Sequence, residues 1–145
     1  VRCIRCHLPR NEWCVEMNKQ HRIRWLNGEE MPLWELENGE FACPICGEPW
    51  PYPPYVPSTV SRPLSCPAIG DICMGCDVEF GVEEGCAPYA PIGWMHRQYA
   101  EYRTQWLNRG GWTKEQLAQL ERNLGITEAQ ARADAERLKA GKWEL

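Results

Sequence analysis

The sequence predicts a small α+β fold assembled around a metal ion, with short β-hairpins followed by two or three C-terminal helices. Three observations predict it. Nine cysteines stand in 145 residues, and six of them form C-x-x-C pairs: Cys3/Cys6, Cys43/Cys46 and Cys73/Cys76. Twelve Gly and twelve Pro make much of the chain turn and loop. Residues 95–145, by contrast, carry helical spacing of apolar side chains between clear start and stop signals. A short, loop-rich chain buries little regular core and depends on disulfides or metals for stability. The remaining composition, 43% hydrophobic and 25% charged, is globular and excludes a disordered, collagen-like or coiled-coil chain.

Spacing decides between disulfide and metal. A C-x-x-C disulfide closes only a tiny loop, whereas two thiolates on one tight turn can both face a metal. Cys43-Pro44-Ile45-Cys46-Gly47 is the strongest such signal. Proline starts the turn, glycine lets the backbone curl, and backbone N–H groups then point at the sulfurs and favour thiolate. One knuckle supplies two ligands and tetrahedral zinc takes four, so Cys73-Met74-Gly75-Cys76 is the expected second knuckle. Cys43, Cys46, Cys73 and Cys76 are therefore the expected main site, with one Zn2+ and the architecture of a zinc ribbon.

These residues also carry a resemblance. The first knuckle, the following Glu48-Pro49 and Pro53-Pro54-Tyr55, and Asp71-Ile72-Cys73-Met74-Gly75-Cys76-Asp77-Val78-Glu79-Phe80-Gly81 are similar to the bacterial cysteine-rich proteins of the CPCC family. Tyr99-Ala100-Glu101-Tyr102-Arg103-Thr104-Gln105-Trp106-Leu107, followed by Gly110, resembles the helix of that family, rich in Tyr, Arg and Trp. The resemblance covers about residues 41–112. Ile45 stands where the name-giving motif has Cys, and Met74-Gly75 where it has Pro-Cys. It implies a zinc ribbon followed by an acidic turn and a helix. Members resemble small genes beside toxin or phage-related loci, which implies an immunity- or inhibitor-type role.

The chain divides into a lobe at 1–40, a ribbon core with its helix at 41–112, and a helical hairpin at 113–145. In the lobe, Ile23-Arg24-Trp25-Leu26 and Pro32-Leu33-Trp34-Glu35-Leu36 read as strands, with Asn27-Gly28 and Asn38-Gly39 as hairpin turns. Further on, Met95, Tyr99, Tyr102 and Trp106 mark one face of a helix that Gly110-Gly111 ends. Thr113 with Gln116, and Thr127 with Gln130, are capping-box starts for two more helices, stopped by Gly125 and near Gly141. The second of the two has Leu138 as its only large apolar residue, so loose docking or an awaited partner is expected of it.

Five cysteines remain. A second zinc could be held locally by Cys3, Cys6, Cys14 and His21, which needs only a short loop to close. Cys66 and Cys86 are alternative ligands beside Cys3/Cys6, and a third arrangement pairs Cys3/Cys6 with Cys43/Cys46 and Cys66/Cys86 with Cys73/Cys76. The pattern Cys3-Ile4-Arg5-Cys6-His7 also matches covalent haem attachment, which requires export. The first seven residues contain no apolar signal segment, and no stretch is apolar enough to span a membrane, so the expected setting is the reducing cytoplasm.

Function follows from what the site lacks. Four cysteine ligands leave no open coordination position for catalysis. The sequence contains no His-x-Glu deaminase pattern, no H-E-x-x-H, no Gly-rich phosphate loop and no G-x-S-x-G, and His96 is expected to be a surface or capping residue. A non-enzymatic protein-interaction module is the first expectation, with a basic protein partner to match a chain of net charge -4. Trp50, Tyr52 and Tyr55 either cover the metal site or anchor that partner. The alternative is a nucleic-acid-binding ribbon using Arg2, Arg5, Arg10, Lys19, Arg22 and Arg24, interleaved with Trp13 and Trp25.

Overall fold

The computed structural model of the chain describes residues 19–24, 30–53, 70–80 and 91–143. Four strands, β1 (Lys19–Arg24), β2 (Glu30–Glu35), β3 (Phe41–Ala42) and β4 (Pro49–Trp50), form one antiparallel sheet in sequence order. Three helices follow, α1 (Ile92–Gly110), α2 (Lys114–Leu124) and α3 (Glu128–Lys139). The α+β class is as expected.

The strands of the first hairpin both begin earlier than the sequence suggests, at Lys19 and Glu30. β1 pairs with β2 along its whole length, from Lys19↔Glu35 to Arg24↔Glu30. Trp25, Leu26 and Asn27-Gly28 lie outside the described residues. On its other side β2 meets β3 only at Glu35↔Phe41. Pro32, which lacks an N–H to donate, is tolerated because β2 is nearly an edge there. The turn after β2 is where the Asn-Gly pair places it: Gly39 is left-handed at φ 85° and its N–H donates to the Leu36 carbonyl. The Asn38 side chain accepts from the Glu40 N–H at 3.0 Å.

The helical punctuation holds closely. Thr113 and Thr127 form complete capping boxes with Gln116 and Gln130, and Gly111 and Gly125 close α1 and α2 in left-handed conformation. The buried face of α1 is Met95, Tyr99, Ala100, Arg103, Trp106 and Leu107, with Tyr102 only half-buried. A charged residue thus occupies the middle of the apolar stripe. Leu120 and Leu124 of α2 join the same core, and Leu117 is half-buried.

Loose docking of α3 is corrected. The helix packs on α1, with Ala131 2% exposed. A small side chain there lets the two backbones approach, so few large apolar residues are needed. The edges are fastened by aromatic contacts instead. The Arg132 guanidinium lies 4.4 Å from the Trp112 ring centroid and Arg137 4.1 Å from that of Trp143. The Trp143 indole N–H donates to the Gly93 carbonyl at the start of α1. Among the described residues no helix is long and apolar enough to cross a membrane.

Candidate metal centre

The turn of the β3–β4 hairpin is the first knuckle. Ala42↔Pro49 and Phe41↔Trp50 pair below it, and the Cys43 N–H donates to the Glu48 carbonyl at 2.8 Å. The Gly47 N–H returns to the Cys43 carbonyl at 2.9 Å, with Gly47 at φ 83°. The second knuckle repeats this connectivity. Ile72 and Glu79 bridge below it, the Cys73 N–H donates to Val78, and the Asp77 N–H to the Cys73 carbonyl. Asp77 takes the left-handed position of Gly47, at φ 63°. Asp is among the few side-chain-bearing residues that tolerate it. Four residues after each second cysteine stands an aromatic ring, Trp50 and Phe80, packed edge to face at 4.9 Å.

The two turns bring Cys43, Cys46, Cys73 and Cys76 together, with all four sulfurs within 4.8 Å of one another and each residue at most 1% exposed. Cys43 Sγ lies 3.9 Å from Cys76 Sγ, and Cys46 Sγ 3.6 Å from Cys73 Sγ. A disulfide needs about 2.05 Å. Two sulfurs on one tetrahedral metal at about 2.3 Å stand roughly 3.8 Å apart, so the spacing suits a metal ion. Backbone N–H groups of Ile45 and Glu48 point at Cys43 and Cys46, both at 3.4 Å.

Thiols crowded in this way do not ionise independently. Burial, reinforced by the neighbouring sulfurs, pushes the Cys43 thiol well above its ordinary value. Hydrogen bonds from Cys43, Cys46 and Cys76 hold Cys73 far below it. One buried thiolate is solvated by its neighbours at their expense. A bound cation removes that competition and lets all four ionise.

The helices hold the first knuckle by its carbonyls. Arg103, buried on α1, donates from Nε to Ile45 and from a terminal guanidinium nitrogen to Pro44, both at 2.7 Å. From α2, Gln119 donates to the Cys46 carbonyl at 2.9 Å and Asn123 to Gly47 at 2.8 Å. Every carbonyl from 43 to 47 then has a donor. Arg109 donates to the Cys76 carbonyl of the second knuckle at 2.7 Å. Burial lowers the Arg103 guanidinium, while Asp134 and the Cys43, Cys46 and Cys76 sulfurs pull it back up. A four-thiolate site with a divalent ion keeps a net negative charge, and Arg103 and Arg109 are placed to offset it.

Sequence reading missed Arg103, Arg109, Gln119 and Asn123. For Arg103 a signal existed: it falls four residues after Tyr99 and three before Trp106, inside an otherwise apolar stripe. Of the aromatics expected to cover the site or anchor a partner, Trp50 and Tyr52 differ in exposure. Trp50 is buried against Phe80, whereas Tyr52 is 37% exposed and hydrogen-bonds Asp71. Tyr55 lies outside the described residues. His96 is a surface residue, one of its two expected placements, and not a cap, because α1 starts at Ile92. It borders a cleft of about 500 Å3 with Trp34, Tyr99, Asp134 and Trp143. Burial and the Arg103 charge lower its basicity.

Pairing the two central knuckles with each other leaves no place for the arrangement that shared them out between Cys3/Cys6 and Cys66/Cys86. Cys3, Cys6, Cys14, Cys66 and Cys86, together with Arg2, Arg5 and Arg10, lie outside the described residues. Lys19, His21, Arg22 and Arg24 enter as backbone positions of β1.

The tightness of the centre makes one substitution informative. A Cβ on Gly75 would sit 2.8 Å from Cys46 Sγ and 2.9 Å from Glu48 Cβ. Gly75→Ala is therefore expected to lower metal affinity at least tenfold, as a competitive chelator titration would read, through overpacking of about 1–3 kcal/mol. An unchanged chelator midpoint would mean that the two knuckles are not packed this closely.

Compared with family models, with curated proteins and with solved structures, the chain matches none of them.

Proposed function

We propose that the centre is a structural Zn2+ site of zinc-ribbon type and that the chain is a non-enzymatic protein-interaction module. The observation that carries this reading is the closed donor set. Four buried sulfurs within 4.8 Å of one another are enough donors for a tetrahedral shell, and the surrounding hydrogen bonds fix the knuckle backbone. Such a shell accepts zinc or iron. Elemental analysis of purified protein is expected to give between one and two zinc per chain. Less than half a zinc, or iron in its place, overturns the metal assignment.

The partner we propose is a basic protein. Residues 30–53 and 70–80, which hold β2 to β4 and both knuckles, contain eight Asp or Glu and no Lys or Arg, while the basic residues Lys19, Arg22 and Arg24 belong to β1. The similarity to the CPCC family supports an adaptor or immunity-type role beside a neighbouring gene's product. The test is binding of the metal-loaded full chain to single-stranded RNA and DNA across salt, beside pull-down with the products of adjacent genes. A defined protein partner, with no nucleic acid held at physiological salt, is expected. Tight nucleic-acid binding that falls steeply with salt, and collapses when Arg2, Arg5 and Arg10 are replaced by Ala, reverses the reading.

A further inference from the structure

The two knuckles share a backbone but not a cover. Around the first, Ile45 is fully buried, Pro44 is half-buried, and the side chains of Arg103, Gln119 and Asn123 occupy the carbonyls. At the positions equivalent to Pro44 and Ile45, the second knuckle has Met74 and Gly75. Met74 is 87% exposed, and Ile72, beside the first ligand, is 58% exposed. Among the described residues, Arg109 reaches the Cys76 carbonyl, and none donates to the carbonyls of Met74 or Gly75.

Charge selects what fits there. The segment 70–80 carries Asp71, Asp77 and Glu79 and no basic residue. Glu48 of the first knuckle stands against Gly75, and Tyr52, itself exposed, is tied to Asp71. An exposed methionine and isoleucine amid carboxylates suit an apolar residue flanked by cations. A nucleic-acid backbone would be repelled by the same surface.

We propose that the second knuckle, 72–77, is the docking surface for a basic, arginine-bearing segment of a partner protein. An apolar residue of that segment covers Met74 and Ile72. An arginine donates to the Met74 and Gly75 carbonyls, as Arg103 donates to those of Pro44 and Ile45 within the chain. The segment supplies in trans the cover that α1 and α2 give the first knuckle. This rests on the reading of the chain as a protein-interaction module.

The test is a titration of isotope-labelled, metal-loaded full chain with a twelve-residue peptide alternating Arg and Leu, followed by amide NMR. A Glu/Leu peptide of equal length and a single-stranded oligonucleotide are the controls. The basic peptide is expected to shift the amides of 70–80 and Tyr52. Met74→Lys should weaken it at least tenfold and Ile72→Ser severalfold. Both side chains are exposed, so these variants should keep their metal content and helical spectrum, which are measured alongside. Shifts confined to other segments, no shifts at all, or unchanged affinity in both variants overturn the surface. A protein partner whose binding ignores both variants would sink the surface while leaving the interaction-module reading intact. Binding of the oligonucleotide alone would sink both.

Discussion

Removing the metal is expected to unfold the knuckle region, and with it most of the cooperative structure. The centre sits inside the core rather than beside it: Cys43, Cys46, Cys73 and Cys76 pack with Ile45, Trp50, Val78, Phe80 and the buried faces of α1 and α2. A structural zinc, the ion proposed for this centre, contributes about 10–16 kcal/mol of apparent binding energy to folding. A domain's whole stability is about 5–15 kcal/mol. Without the ion, four thiols in a dry site keep their protons or share one charge. Cys43→Ser or Cys73→Ser is therefore expected to abolish the thermal transition seen by circular dichroism, as is a strong chelator. Acid should do the same by protonating the ligands: stability is present at neutral pH and lost as pH falls. A Cys73→Ser protein that keeps both its metal content and its melting temperature would refute the ligand set.

Arg103→Met should cost about 3 kcal/mol in urea unfolding of the metal-loaded protein. The guanidinium makes two 2.7 Å hydrogen bonds to carbonyls of the first knuckle. Hydrogen bonds to a charged group contribute about 1.5–3 kcal/mol each. Part of that is returned when a buried charge is removed, which keeps the expected loss near the lower end of the sum. In a chain of this length about 3 kcal/mol corresponds to a fall of roughly 6–12 °C in Tm. Arg103→Lys should recover little, because an ammonium has no planar fork to meet two neighbouring carbonyls. Weaker metal retention by Arg103→Met is expected as well, since Arg103 orients the backbone that presents Cys43 and Cys46. Stability within about 0.5 kcal/mol of the parent protein would show that the knuckle holds its shape unaided.

The cysteine knuckles were legible because their information is local. A C-x-x-C pair fixes two ligands within one turn, and Gly47, supplying the left-handed residue that closes it, is adjacent in sequence. The helix starts were legible for the same reason: a threonine and a glutamine three residues later satisfy each other's backbone donors without outside help. Turn chemistry likewise placed the bend at Gly39. The strand limits of the first hairpin were less legible. The extent of β1 depends on pairing with β2 along its whole length rather than on its own residues.

Taken by itself, the sequence determined the two cysteine knuckles, the α+β class and the positions of the helix caps, because each is set by residues within a few positions of one another. Only the tertiary structure decided which side chains support the centre and which knuckle stays bare. Arg103 reaches a carbonyl 58 residues away, Gln119 one 73 away and Asn123 one 76 away. No local pattern encodes such a contact; it exists because α1 and α2 bury their apolar faces against the first knuckle and carry these polar groups with them. The docking of α3 was decided in the same way. Ala131 is a weak signal in sequence, but against α1 its small size permits close approach. Met74 and Pro44 occupy matching turns, and their different fates follow from where the helices lie: Pro44 is half-buried, while Met74 is left to solvent or to a partner.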